Sequence, residues 1–170
     1  KSFNNDIQNL GQLISGWREM LLRVHLGRAN YEVPFDGSSF LMIIFSFLKM
    51  ISYYLFTPFP WMVRNSMDIG GLLESMLRMT LIYFSVKDWC KACGEKRRLL
   101  GLMLILYFSI SFLWAVGTTN YGTAMRHNML AWWIIVITGV PPLMAKLQHI
   151  WLDVERRLRL NIQDITRLKM

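Results

Sequence analysis

Four apolar stretches, each close to the length of a membrane span, fix what this chain can fold into. A helix needs about 20 apolar residues to cross roughly 30 Å of hydrocarbon, and residues 40–57, 69–86, 99–117 and 129–147 approach that length. The first is broken only by Lys49, the second carries Glu74 and Arg78, and the third has no charge. The fourth holds Trp132, Trp133 and, near its end, Pro141 and Pro142. That pair is expected to kink the helix or close its regular part, because proline removes a backbone donor. The chain is 54% hydrophobic and only 18% charged, whereas soluble domains run nearer 25% charged. The expected fold class is therefore all-α, a polytopic helical membrane protein with about four transmembrane helices and amphipathic ends.

Basic residues set the expected topology, because cytoplasmic flanks collect Lys and Arg. Lys1, Arg18, Arg23 and Arg28 precede the first stretch, and Lys87, Lys91, Lys96, Arg97 and Arg98 separate the second from the third. Lys146, Arg156, Arg157, Arg159, Arg167 and Lys169 lie at and after the end of the fourth. Fifteen of the 19 basic residues thus fall on one side, and only Arg64 and Arg126 fall in the opposite loops. Both termini are expected in the cytoplasm. The net charge of +8 is then a membrane-flank signal with lipids as the partner, not nucleic acid.

Three segments follow. Residues 1–34 read as an amphipathic cytoplasmic or interfacial piece, 35–147 as the transmembrane domain and 148–170 as a cytoplasmic amphipathic helix. In the first, Asp6 is placed to cap a helix running to about Arg28, with Ile7, Leu10, Leu13, Ile14, Trp17, Leu21 and Val24 on one side. In the last, Leu147, Trp151, Val154, Leu158, Asn161, Ile165 and Leu168 alternate at spacings of four and three. That pattern suits an interfacial or docked helix, or a short coiled coil with Asn161 on its seam.

The charge count puts two unusual loops on the non-cytoplasmic face. One runs through Thr57, Pro58, Phe59, Pro60 and Trp61 to Arg64; the other is 120–128, from Asn120 to Asn128. The first reads as a stiff aromatic turn, or simply an interfacial anchor. In the second, Gly122 permits a tight turn, and Asn120, Thr123, Arg126, His127 and Asn128 concentrate hydrogen-bonding groups. Arg126 can clamp a phosphate or carboxylate bidentately, and His127 beside it is a candidate general base; the bland alternative is that both meet lipid phosphates. Glu74 and Arg78 share a helix face, where a structural ion pair competes with an intramembrane polar site. Lys49 can snorkel or meet Glu74 across the bundle. Cys90 and Cys93 form a CxxC that reads as a redox dithiol, half a zinc site or a neutral pair; a full site needs a second pair. No metal and no cofactor is expected.

The run Phe56 to Trp61, followed two stretches later by Asn120, Gly122, Thr123, Ala124, Arg126 and His127, resembles a pattern in polytopic membrane proteins of bacterial polysaccharide gene clusters, similar to O-antigen polymerases and lipid-linked glycosyltransferases. The likeness covers roughly 40–147. Asn128 stands where those proteins commonly carry a second arginine, which departs from a two-arginine phosphate clamp. The resemblance implies a C-terminal portion of a longer protein, in keeping with a first residue of Lys, in a bacterial inner membrane. It implies a polyprenyl-linked saccharide as substrate at the outer leaflet, with Arg126 and Arg64 on diphosphate, Trp61 on sugar, Asn120 and Thr123 in support and His127 as base. Whether the chain is an enzyme stays open. The alternative is a non-catalytic subunit of a larger membrane complex, and a transporter using Lys49, Glu74 and Arg78 is a third reading.

Overall fold

In the computed structural model, backbone is described for residues 2–24, 30–31 and 33–168, and side chains for 9, 11–21, 23, 30–31 and 33–159. Five α-helices account for most of it: α1 (Ser2–Val24), α2 (Phe40–Phe56), α3 (Ser66–Lys91), α4 (Gly94–Gly117) and α5 (Tyr121–Leu168). A 3-10 turn, Pro60–Met62, sits between α2 and α3. Local chemistry starts each helix. Ser39 accepts from the amide of Met42 at the head of α2. Asn65 and Asp68 form a reciprocal capping box on α3. The Oδ1 of Asn120 takes the amides of Gly122 (2.8 Å) and Thr123 (3.3 Å) to open α5. Gly94 supplies the positive φ of 60° at the tight α3–α4 turn.

The all-α polytopic architecture is as expected. Three helices, α3, α4 and the α5 segment Tyr121–Arg159, are long and apolar enough to cross a membrane. Their large apolar side chains point outward: Leu73, Leu102, Ile105, Leu113, Leu130 and Ile137 are all exposed. Small and hydroxyl side chains point inward, among them Ser75, Ser85, Ser111, Ala124, Ala131 and Thr138. A bundle in lipid gains nothing by hiding leucine, so close backbone approach and interhelical hydrogen bonds take over. A Cβ on Gly139 would stand 2.6 Å from the Leu81 carbonyl oxygen, and Ser85 and Thr138 share a buried hydroxyl bond of 2.9 Å.

Register follows from these contacts. Gly71 meets Met125, Arg78 meets Trp132 and Leu81 meets Gly139, so α3 and α5 run parallel. Trp114 stacks on His127, so α4 runs against both. Pro141 and Pro142 lie inside α5, which continues through them to Leu168. Of the two outcomes expected there, a kink or a close, the helix does not close: the residues just before the prolines are packed against α3 through Gly139 and Thr138.

Two differences from the expected topology matter for the site. The first concerns α2, which is apolar but only 17 residues long. Phe47 packs on Phe112, and the Trp114–His127 pairing sets Phe112 level with about Met129. Yet the carbonyl of Tyr54, two turns on from Phe47, is bound by Asn128 at that same level. The last turn of α2 therefore lies beside Asn128 of α5, within the bundle.

The second concerns the N-terminal segment. Arg18 is buried and donates to the carbonyls of Ala115 (3.2 Å) and Val116 (3.0 Å). Asn30 bridges to Asn120, and Tyr31 bonds the carbonyls of Thr119 (2.9 Å) and Thr118 (3.1 Å). Arg18, Asn30 and Tyr31 thus lie at the end where α4 stops, whereas charge counting grouped Arg18 with the basic α3–α4 turn at the other end. The reason is that the last carbonyls of a helix lack intrahelical donors and attract cations. Burial pulls the Arg18 guanidinium below its usual pKa, opposed by the nearby Tyr31. Helix α1 begins at Ser2, so Asp6 lies within it and does not cap it. Arg28 and the side chains of Ile7, Leu10 and Val24 lie outside the described residues, as do those of Asn161, Ile165, Arg167, Leu168 and Lys169.

The α3–α5 contact gives a stability test. Gly139→Ala places a methyl against backbone, and should cost about 1–3 kcal/mol, the overpacking range. Gly70→Ala, where a Cβ meets nothing within 4 Å, should be neutral or slightly stabilising. Thermal unfolding of the two purified variants measures this; equal midpoints would contradict the register.

Candidate functional site

The site begins with a helix that ends inside the bundle. A continued α2 would bond Tyr54's carbonyl to the amide of residue 58, but Pro58 has none. Three carbonyls at this end are met from elsewhere. Tyr53's accepts the Thr57 amide (3.1 Å) and hydroxyl (2.6 Å). Tyr54's accepts Asn128 Nδ2 (3.1 Å), and Leu55's accepts an Arg78 nitrogen (2.7 Å). Arg78 is 1% exposed. Its other terminal nitrogen pairs with Glu74, one turn earlier on α3, and its guanidinium lies 5.6 Å from the Trp132 ring centre. The two charges inside the second apolar stretch therefore face protein, joined to each other and to the end of α2. Lys49 is exposed on α2.

Outward from Arg78, toward the end where α5 begins, lies a cleft of about 340 Å³ between α3 and α5. Asp68, Glu74, Tyr121 and Arg126 line it, with Met125 and Met129 among its apolar walls. Asp68 is 4% exposed. It accepts from the amides of Arg64 (2.9 Å) and Asn65 (3.1 Å) and from the Tyr121 hydroxyl (3.0 Å). Arg126 is exposed on the rim. The cleft thus offers one outward guanidinium, two carboxylates already engaged by protein donors, and a flexible apolar wall.

The residues singled out from sequence distribute unevenly around it. Arg126 and Glu74 meet at the cleft. Asn120 is occupied as the cap of α5 and as a donor to Asn30 (3.1 Å), and Thr123 sits half-buried in the first turn of α5. Trp61 is 75% exposed and stacks flat on Phe59, 4.8 Å apart at 9°. Arg64 is exposed in the same loop, with its backbone amide on Asp68. His127 lies elsewhere: its ring stacks on Trp114 at 3.8 Å, and its buried Nδ1 meets no partner among the described residues. Cys90 and Cys93 are exposed free thiols at the opposite end. Among the described residues no three His, Cys, Asp or Glu side chains come together. Sequence reading missed Asp68 and Tyr121. The Asn65-x-x-Asp68 spacing was a readable capping-box signal for the first; nothing local marks the second.

No protein family, curated protein or solved structure matches this chain.

The Arg78 centre is testable by a mutant cycle. Arg78→Leu strands Glu74 and the Leu55 carbonyl, and should cost about 3–5 kcal/mol, as for a broken buried pair. Glu74→Leu combined with Arg78→Leu should recover part of that loss, because no lone charge remains. Denaturant titration in mixed micelles reads both; a double variant as unstable as the sum of the singles would refute the coupling.

Proposed function

We propose that this membrane protein handles a lipid-linked saccharide at the outer leaflet of a bacterial inner membrane, in polysaccharide assembly or export. The observation that carries the proposal is the exposed Arg126 guanidinium on the rim of a cleft between α3 and α5 that is lined by engaged carboxylates. A polyprenyl diphosphate sugar has three chemically distinct parts, and the cleft offers a group for each. Arg126 meets phosphate oxygens in its fork geometry. Glu74, partly exposed in the cleft, presents a carboxylate acceptor to sugar hydroxyls beside the bonded Asp68–Tyr121 pair. Met125 and Met129 adapt to an isoprenoid chain. The stacked Phe59–Trp61 pair at the same end gives an exposed aromatic face for a sugar ring.

Orientation enters as part of the same proposal. Lys87, Lys91, Lys96, Arg97 and Arg98 gather at the α3–α4 turn, and Lys146, Arg156, Arg157 and Arg159 lie toward that end of α5. A positive cytoplasmic side therefore leaves the cleft facing outward, even with Arg18 counted at the cleft's end. The resemblance of 56–61 and 120–127 to proteins of polysaccharide gene clusters supports the same substrate class. His127, on Trp114 and away from the cleft lining, is given no proton step; the role proposed is binding and presentation.

Titration of a polyprenyl diphosphate into nanodiscs carrying the protein tests this directly. Loss of a charge-assisted bond of about 1.5–3 kcal/mol predicts that Arg126→Ala weakens binding roughly tenfold to a hundredfold. Arg126→Lys should recover part of it, since the charge remains and the fork is lost. His127→Ala should leave affinity near wild type. Unchanged affinity in a folded Arg126→Ala protein would defeat the proposal.

A further inference from the structure

A second groove, larger than the cleft, runs from the α3–α4 turn along α4. It holds about 730 Å³ where α2, α3 and α4 converge, and Ile51, Val86, Leu104, Phe108 and Phe112 are among its walls. Ser109 brings the only hydroxyl to the lining. Both α3 and α4 are long and apolar enough to cross a membrane. The α4 side of the groove extends from Gly101 to Leu113, about 18 Å at 1.5 Å per residue. Half of a hydrocarbon core of about 30 Å, the depth of one leaflet, is close to that length.

Charge at one end sets this groove apart from an ordinary lipid-facing recess. Between residues 87 and 98 stand Lys87, Lys91, Lys96, Arg97 and Arg98, against only Asp88 and Glu95. Arg97 lies four residues before Gly101 and seven before Leu104, and Arg98 lies three before Gly101 and eleven before Ser109, so both fall on the face of α4 that lines the groove. The Arg97 guanidinium sits 5.7 Å from the centre of the Trp89 ring. Trp89 is itself a wall of the groove, and it packs so close to α4 that a Cβ on Gly101 would stand 3.0 Å from its Nε1. Asp88 is already taken by Lys96 at 3.0 Å. Arg97 and Arg98 are exposed, and neither joins the ion pairs formed among the described residues.

We propose that this groove is a site for an anionic phospholipid, with its phosphate on Arg97 and Arg98 and one acyl chain along α4. The guanidinium forks match phosphate oxygens. Trp89, between the charged end and the apolar walls, is a residue type that favours such a boundary. A wholly apolar occupant would leave the two arginines unmet, and a soluble phosphate would leave the walls uncovered. Basic recesses between spanning helices suit anionic headgroups for this reason. The site is independent of the cleft beside Arg126 and of what that cleft binds.

Native mass spectrometry of the full chain, released from micelles containing phosphatidylglycerol or phosphatidylcholine, tests the site. Phosphatidylglycerol should bind roughly tenfold or more tightly than phosphatidylcholine, from two arginines at the headgroup. Arg97→Gln with Arg98→Gln should bring the two lipids within about twofold of each other. Arg156→Gln with Arg157→Gln removes the same charge from exposed positions on α5 and should leave the preference intact. Ser109→Trp, at an exposed position in the groove, should weaken both lipids roughly tenfold, the loss of about two buried methylenes. Leu113→Trp, 73% exposed before substitution, replaces it if Ser109→Trp lowers the unfolding midpoint. Equal binding of the two lipids, a preference lost as fully in the Arg156 and Arg157 variant, or unchanged binding in a folded groove variant would each overturn the proposal. Displacement of the lipid by glycerol 3-phosphate alone would overturn it too, since the groove would then contribute nothing.

Discussion

The carbonyl of Leu55 is the group around which the bundle is organised. A helix that stops within an apolar interior leaves carbonyls facing a medium that supplies no donors, and each unmet group is costly there. Here the donor is Arg78, which would itself be intolerable without a counter-charge. Glu74 supplies that charge one turn away, and Trp132 offers its ring face. Asn128 serves the neighbouring carbonyl of Tyr54. Helices α2, α3 and α5 are therefore joined by one polar junction, beside the close α3–α5 contacts at Gly139 and Ser85. Ser75, Ala124 and Ala131 are small side chains buried among the helices, and the junction adds charge-assisted pairings to the register they share.

The same logic recurs at α4. Arg18 takes the terminal carbonyls of Ala115 and Val116, so a second buried arginine ends a second helix. Both cations sit at the negative end of a helix dipole, where charge complements the exposed carbonyls. This explains why counting positive residues misplaces Arg18. The positive-inside pattern concerns charges left in water beside the membrane. An arginine consumed as a helix cap is a structural part, and its position follows the carbonyls it serves. The clusters at the α3–α4 turn and late in α5 cap no helix end in this way.

Much of the fold was legible because its signals are local. Span length, the charge-free stretch 99–117 and the i, i+4 relation of Glu74 and Arg78 needed no partner to be read. The level at which α2 stops was not legible. It depends on Pro58 removing a donor and on Asn128 and Arg78, distant in sequence, replacing it. Likewise Pro141 and Pro142 were expected to kink the helix or close its regular part, and the helix runs on through them. Gly139 and Thr138 lie directly before them and clamp the chain to α3, a tertiary contact that overrides the local penalty. At the site, Arg126 stood out as a cation in an otherwise non-basic loop. Asp68 looked like a cap and is one, yet its other oxygen reaches Tyr121 across the cleft.

The charge balance of the cleft separates its residues by role. Two carboxylates beside a phosphate would repel it if they were free, yet neither is. Asp68 is held by two backbone amides and a tyrosine hydroxyl, and Glu74 by Arg78. Donors already directed at a carboxylate stabilise its charge and shorten the reach of its field. Arg126 has no comparable carboxylate partner in the ion pairs formed by the described residues. Arg126 is then the exposed cation at the rim, above carboxylates whose hydrogen-bonding capacity is directed into the protein. A guanidinium left uncovered beside lipid is expensive to keep. Under the proposed function, the phosphate of a lipid-linked substrate completes the pairing that the protein leaves open.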